Sequence, residues 1–358
     1  MGLDPSTVLI AGGAGFVGSN LATRYKASHP EVRVVALDNL KRRGSELALG
    51  RLSSAGVEFV HADIRCREDF DDLLRFDLLV DCSAEPSVQV GLSGAPDYMV
   101  QTNLVGTINL LELARRNDAA FLFLSTSRVY PLDRLNRLAI REERTRFEWA
   151  QPTVERGLSA AGVTEAFPLD GPRSLYGASK LSGELLLQEY AYSYGMPAMI
   201  DRCGVLTGPW QMGKVDQGFV TLWVARHLFV DRPLSYIGYG GTGKQVRDIL
   251  HVDDLYDLIE LQLQNEAAWN ASPFNIGGGR EGSVSLAELT VLCNSVTGAT
   301  REIGSQPETS TVDIPIYLSD CDHAKKVFGW RPTRNPEVIV SDIFDWIQAN
   351  KDDLRRVL

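Results

Sequence analysis

The stretch Thr7-Val8-Leu9-Ile10-Ala11-Gly12-Gly13-Ala14-Gly15-Phe16-Val17-Gly18-Ser19-Asn20 sets a glycine cluster between a β-branched strand and an amphipathic helical pattern. Glycine there permits a tight turn, lets a pyrophosphate approach bare backbone and allows the helix to pack close on the strand. The helix N-terminus adds N–H donors and partial positive charge. The cluster fits both Gly13-x-Gly15-x-x-Gly18 and Gly12-x-x-Gly15-x-x-Gly18, so the individual glycine roles stay open at this level. The next strand-like run, Val34 to Asp38, ends in an acid twenty residues beyond Gly18. An acid at that spacing can accept hydrogen bonds from the adenine ribose hydroxyls. It favours NAD over NADP, whose 2′-phosphate it would repel. Lys41, Arg42 and Arg43 weigh the other way and are read as a solvated loop. Asp63 and Ile64 follow a third strand-like run, where they can bracket an adenine. Together these features predict a dinucleotide site.

Outward from this turn, short β-rich apolar runs continue at Val32–Leu37, Val57–His61, Leu78–Cys82, Ala120–Leu124 and Ala198–Asp201. Between several of them lie segments with helical spacing, such as Asn103–Ala114 and Ser179–Tyr194. Strands alternating with helices predict an α/β fold with a parallel sheet covered on both faces, because parallel strands need crossover connections. The chain has 358 residues, and at about 150 residues per domain that allows roughly two compact units. Residues 1–204, with a return segment at about 245–276, are expected to form the dinucleotide-binding domain. Residues 205–244 and 277–358, which are turn-rich, are expected to form a smaller irregular lobe. The charged, weakly periodic segment from Tyr130 to Leu175 reads as a solvated insertion above the sheet.

With 46 acidic and 36 basic side chains the net charge is -10, which disfavours the broad positive face needed for non-specific nucleic-acid binding. Cys66, Cys82, Cys203, Cys293 and Cys321 show no C-x-x-C pair and read as reduced thiols. The segment before Thr7 has no basic region, apolar stretch or cleavage pattern, so no signal peptide is expected. No run approaches the roughly 18 apolar residues of a membrane span. A cytoplasmic protein is the expectation. His251, Asp253 and Asp254 read as a helix start capped by Asp253 or Asp254 rather than as a metal site. His29, His61, His227 and His323 lack partners at ligand spacing, and no metal is expected.

Tyr176 and Lys180 begin a helical pattern and, four residues apart, share one face of it. A free phenol has a pKa of about 10 and is a poor base at neutral pH. Close positive charge, from Lys180 and an oxidised nicotinamide, favours the phenolate and suits proton abstraction from a sugar hydroxyl. The buried-type run Phe121 to Ser125 leads into Thr126, Ser127 and Arg128 at the sheet edge where such folds bind ligands. Thr126 can hydrogen-bond a reacting oxygen.

Gly12–Gly18, Asp38-Asn39-Leu40, Asp63-Ile64, Asn103–Glu112, Ser125–Tyr130, Tyr176–Lys180, Arg247–Asp254, Ile316–Asp320 and Phe328–Pro332 span nearly the whole chain. In these segments the sequence resembles the extended short-chain dehydrogenase/reductases that act on nucleotide sugars. The resemblance implies a Rossmann-type doubly wound parallel sheet with a smaller α/β C-terminal substrate lobe, and NAD as cofactor. It implies Thr126, Tyr176 and Lys180 as the catalytic triad. It also implies cofactor contacts from Gly12, Gly15, Phe16, Val17, Gly18, Asp38, Asn39, Asp63, Ile64, Ser83, Ala84, Asn103, Tyr176, Lys180 and Cys203. Thr126, Gln211, Lys214, Gln217 and Arg247 are expected to face the substrate. Arg247 is the first candidate for its diphosphate, because a guanidinium offers paired donors; Lys214 and Lys244 are weaker candidates. A homodimer through the helices at Asn103–Ala114 and Ser179–Tyr194 is implied by the resemblance alone.

Dehydratases of this family carry Asp-Glu after the threonine; here Ser127 and Arg128 stand there. That ranks elimination low, although Glu142, Glu143 and Glu165 lie in the insertion. Within the epimerases the chain looks most like the CDP-paratose/CDP-tyvelose 2-epimerase group, on the Ser125-Thr126-x-x-Val129-Tyr130 strand end, the long segment before Tyr176, and Asp216–Phe219. Val205, where many relatives place an Asn, departs from the pattern and bears on the sugar contacts. The expected reaction is reversible oxidation of the sugar, by analogy at C2, with the hydride returned to the opposite face. A nucleotide-sugar 4-epimerase is the alternative, followed by a 4,6-dehydratase or dehydrogenase; a non-catalytic NAD-binding scaffold ranks last.

Overall fold

A computed structural model describes residues 2–358 apart from 71, 72, 74, 94, 95, 151–154, 215, 216, 230–232 and 356; Asp216 of the sequence reading lies outside the described residues. Seven parallel strands form the main sheet: β1 (Thr7–Ala11), β2 (Arg33–Asp38), β3 (Glu58–His61), β4 (Leu78–Asp81), β5 (Ala120–Thr126), β6 (Ala198–Cys203) and β7 (Asn270–Ile276). Their spatial order is β7-β6-β5-β4-β1-β2-β3, every neighbouring pair parallel. This is the parallel sheet that the alternation of runs predicts, in the doubly wound Rossmann-type order that the resemblance implies. All seven residues of β5 and all six of β6 are buried, as expected for central strands covered on both faces.

Helices cover both faces. On one side α1 (Phe16–Ser28) and the helix Val252–Leu263 bury Leu21, Ala22, Tyr25, Leu255, Leu258 and Ile259 against the sheet. On the other, α2 (Thr107–Arg116) and α3 (Leu175–Tyr194) bury Leu110, Leu111, Leu113 and Leu187 against Phe121 and Phe123 of β5. Each large apolar side chain so buried contributes roughly 1.5–3 kcal/mol. The strand order reverses between β1 and β4, so a crevice opens at the carboxyl ends of those strands, where open α/β sheets take their ligands.

The segment 245–276 divides. Val246–His251 joins a small sheet with Val205–Thr207, Ser283–Ser285 and Ile316–Tyr317, while the following helix and β7 pack on the main sheet. A separate core holds the helices Phe219–Leu228, Leu286–Thr297 and Pro336–Ala349 together through Val220, Trp223, Leu289, Ile339 and Ile343.

Two local expectations are corrected. The segment after Tyr130 is not merely solvated: Leu135, Leu138, Phe147, Trp149, Val163 and Phe167 form a buried cluster with Ile314, Ile316, Tyr317 and Leu318. These apolar residues are spaced irregularly between arginines, so no period betrays them. The helix Val252–Leu263 is capped by the ring of His251, whose Nδ1 accepts the backbone N–H of Asp253 at 3.0 Å, and not by either aspartate. Asp253 instead pairs with Arg24 at 2.8 Å, and Asp254 pairs with Arg334 at 2.6 Å. Among the described residues no cluster of His, Cys, Asp and Glu could hold a metal ion, and no helix is long and apolar enough to cross a membrane.

Candidate active site

The glycine turn lies at the crevice. Gly12 adopts φ +72°, and a Cβ there would stand 2.9 Å from the backbone of Cys82 and Ser83. A Cβ on Gly18 would stand 2.2 Å from the carbonyl oxygen of Gly12, so the helix can pack this close on the turn only without a side chain. Gly12 and Gly15 face the cavity, whereas Gly13 packs on Ala36 of β2, which favours the Gly12-x-x-Gly15-x-x-Gly18 spacing. α1 begins at Phe16 with Gly15 as its cap, and no side chain satisfies its first N–H groups. Such an end suits a pyrophosphate.

One chamber, of about 390 Å³, is walled by Gly12, Gly15, Asp38, Asn39, Ile64, Ser83 and Ala84, among others. Asp38 accepts the backbone N–H of Ala14 at 3.1 Å and of Leu40 at 2.8 Å. Burial pushes its carboxyl upward, against those two bonds. Asn39 donates to Asp63 at 3.0 Å, and Asp63 also takes a bidentate pair from Arg65, which holds its carboxyl down at about 2. Asp63 therefore stands behind Asn39 rather than in the wall. Lys41, Arg42 and Arg43 line this chamber and are not simply solvated. Asn103 is also outside the wall: it accepts the N–H of Glu85 at 2.7 Å and donates to the carbonyl of Glu85 at 3.0 Å and to Ser179 at 3.3 Å. From a π-helical turn at Gln101–Gly106 it thus pins the loop carrying Ser83 and Ala84 to α3. π turns recur at functional sites.

A second chamber, of about 370 Å³, shares Gly12, Gly15, Ser83 and Ala84 with the first and brings together Phe16, Val17, Thr126, Tyr176, Lys180 and Cys203. Both volumes fall within the roughly 300–1,000 Å³ of small-molecule sites. Tyr176 is pushed up to about 12, chiefly by burial; a hydrogen bond with Thr126 and the charge of Arg128 oppose the shift. Lys180 is lowered by burial, with Asp81 opposing, and its ammonium lies 3.9 Å from the centre of the Phe123 ring. Burial drives the Cys203 thiol far up. Among the described residues no aspartate or glutamate lines this chamber. Of the acids in the insertion, Glu142 pairs with Lys244, Glu143 with Arg141, and Glu165 accepts the N–H of Asn275.

Gln211, Gln217 and Arg247 also line the second chamber. The amide oxygen of Gln211 accepts from Thr207 and Thr221, both at 3.0 Å, and its nitrogen donates to Leu206, so the side chain is held by its own lobe. Gln217 accepts from Arg42. Lys214 lies in the wall of the first chamber, on the side of Asp38, and not in the second. Arg247 donates to Asp313 at 2.6 Å and to the carbonyls of Val246 and Ile314. Beyond Val88, Arg128, Phe219 and Arg247 opens a third chamber of about 820 Å³, walled further by Trp223, Leu234 and Gln245.

Sequence reasoning missed a buried network beneath the site. Glu184 of α3 takes a bidentate pair from Arg202 of β6 at 3.1 and 2.7 Å and accepts from Ser125 of β5. Arg202 donates to the Tyr130 hydroxyl at 3.2 Å, which donates to Asn275 of β7 at 2.7 Å. An arginine inside a run as apolar as Ala198–Cys203 was the available signal, because a buried charge needs a partner.

The model of the NAD dependent epimerase/dehydratase family matches residues 8–277. The chain is 30% identical to CDP-paratose 2-epimerase of Salmonella typhi, over 96% of this chain and 99% of that protein. It is 32% identical to a dTDP-glucose 4,6-dehydratase of Mycobacterium tuberculosis, over 69% of this chain and 65% of that protein. Among solved structures, UDP-glucose 4-epimerase of Thermotoga maritima with UDP-glucose superposes with a TM-score of 0.76 at 25% identity, covering 96% of this chain and 99% of that one.

Proposed function

We propose, from the premise that the chain belongs to the NAD dependent epimerase/dehydratase family, that it epimerises a nucleotide-diphosphate sugar, inverting C2 by analogy with CDP-paratose 2-epimerase. NAD is its cofactor. The residues present fit it: the turn at Gly12 leaves no room for a Cβ, and the N-terminus of α1 is uncapped. Gly12, Gly15, Phe16, Val17 and Gly18 would hold the pyrophosphate, Asp38 and Asn39 the adenine ribose, Ile64 the adenine, and Ser83, Ala84 and Cys203 the nicotinamide half. Asp63 and Asn103 would act behind them, and Lys214 on the cofactor side. Bound NAD supplies a hydride acceptor that later gives the hydride back.

Tyr176 takes the proton from the sugar hydroxyl as the carbon is oxidised to the ketone, and returns it after inversion. Thr126 aligns the reacting oxygen and favours the phenolate through its hydrogen bond. Lys180 adds positive charge to the same chamber. Gln211, Gln217 and Arg247 border the space left for the sugar and its diphosphate.

The observation that carries this reading is the second chamber itself: threonine, tyrosine and lysine in its wall, and no carboxylate among the described residues there. Elimination of water needs a further acid and base on the sugar besides the tyrosine that serves the oxidation; epimerisation by reversible oxidation needs only that tyrosine. Inversion at C4 is the second reading, favoured by the likeness to UDP-glucose 4-epimerase. The test is incubation with CDP-, UDP-, GDP- and dTDP-sugars followed by NMR. Inversion at C2 of one sugar supports the proposal; inversion at C4 moves it to the second reading, and loss of water overturns both.

The proposal extends to a homodimer through α2 and α3, where Leu185 and Tyr192 lie exposed on α3. Sedimentation of a monomer at micromolar concentration contradicts it. A cytoplasmic setting suits the five free thiols.

A further inference from the structure

The second and third chambers meet at a neck formed by Val88, Arg128, Phe219 and Arg247. Two guanidinium groups flank it, and they differ in what already holds them. Arg247 already commits three of its five N–H donors, to Asp313 at 2.6 Å, which also offsets its charge, and to two carbonyls at 2.7 and 2.8 Å. Arg128 has, among the described residues, one side-chain hydrogen bond, a long 3.3 Å contact to the carbonyl of Val312, and no carboxylate within 4.0 Å. Its backbone is nonetheless fixed. The N–H donates to Thr126 at 3.2 Å, and its carbonyl lies so close to α3 that a Cβ on Gly177 would stand 2.1 Å away.

A guanidinium on a fixed backbone, with spare donors and facing a cavity junction, suits an anionic ligand. The inference rests on the nucleotide-sugar reading above, which puts the sugar in the second chamber; with the nucleoside in the roomier third, the group crossing the neck is the diphosphate. We infer that Arg128, rather than Arg247, is the principal cation for the substrate diphosphate, with Arg247 as a braced wall beside it. Burial, reinforced by Arg247 and opposed by the Asp313 carboxylate, pushes the Arg128 guanidinium down to about 10, which still leaves it charged at neutral pH. An anion between the two arginines would offset their repulsion and give the buried charge a partner.

The experiment is titration calorimetry of the NAD-loaded enzyme with CDP, UDP, GDP and dTDP at two salt concentrations, with the corresponding nucleosides as phosphate-free controls. For the diphosphate that the parent binds, Arg128→Gln should weaken affinity by roughly 10- to 100-fold and flatten its salt dependence. Nucleoside affinity should not change. Arg128→Lys should restore the salt dependence, and Arg247→Gln should cost less than Arg128→Gln. Equal diphosphate binding by parent and Arg128→Gln overturns the assignment, as does a Lys variant as insensitive to salt as the Gln variant. A parent that binds none of the four diphosphates overturns the nucleotide-sugar reading itself, a result distinct from either of these.

Discussion

Lys180 and Glu184 stand one turn apart on α3, each only 1% exposed, and they meet opposite surroundings. Glu184 is fully compensated: Arg202 grips it with three hydrogen bonds, Ser125 adds a fourth, and the chain of contacts runs on through Tyr130 to Asn275. Lys180 has, among the described residues, no carboxylate within 4.0 Å; it meets an aromatic face and the more distant charges of Asp81 and, more weakly, Glu184, and it borders the chamber with Tyr176. One helix thus carries a charge for structure and a charge for chemistry. An ion pair satisfied on every side stiffens the fold, whereas a buried charge left open to a cavity costs stability and is available to a ligand.

The sharpest break in that comparison is expected at Tyr176, on the same face as Lys180. Tyr176→Phe should lower kcat by roughly 10²–10⁴-fold, with NAD affinity and melting temperature unchanged. A variant that keeps its turnover would remove the phenol from the mechanism. Next, Glu184→Gln leaves the Arg202 guanidinium buried without its counter-charge and should cost about 3–5 kcal/mol in urea unfolding. A cost below 1 kcal/mol would mean that the pair can relax toward water. Lys180→Met should do the reverse: turnover falls on the order of 10²-fold, while thermal stability holds or rises because an uncompensated buried charge is gone. If Lys180→Met melts earlier than the parent, the division of labour along α3 is wrong.

The smallest effect concerns pH. In the NAD-free protein burial holds the Tyr176 phenol at about 12, so its proton is retained at neutral pH; the hydrogen bond with Thr126 works in the opposite direction. Thr126→Val should therefore shift the rising limb of kcat/KM to higher pH, and an unmoved limb would show that Thr126 positions the substrate without tuning the phenol. The raised phenol also sets a stability sign. Its contribution is full below the ordinary 10.0 and is lost as pH rises through about 12.

These two turns of α3 were not equally legible. Six parallel strands are visible as continuous apolar runs, with ends within two residues of those observed, because central strands bury both faces. The four-residue spacing of Tyr176 and Lys180 is likewise local. The seventh strand showed only at Phe274–Ile276: Pro273 interrupts it, and its register with β6 shifts between Asn270 and Pro273. The Glu184 network draws on four segments, with hydrogen-bonded partners up to 145 residues apart, so no spacing could reveal it. The neck is similar, since Arg128, Phe219, Arg247 and Val312 meet only after two sheets and a buried insertion have folded together.

The central claim, that Tyr176 drives a reversible oxidation confined to one sugar carbon, is tested most directly by supplying a nucleotide sugar deuterated at the carbon that inverts. Mass spectrometry of the epimer formed in ordinary water should find the deuterium still on that carbon. Its replacement by solvent hydrogen without loss of water would show enolisation instead, and contradict the account.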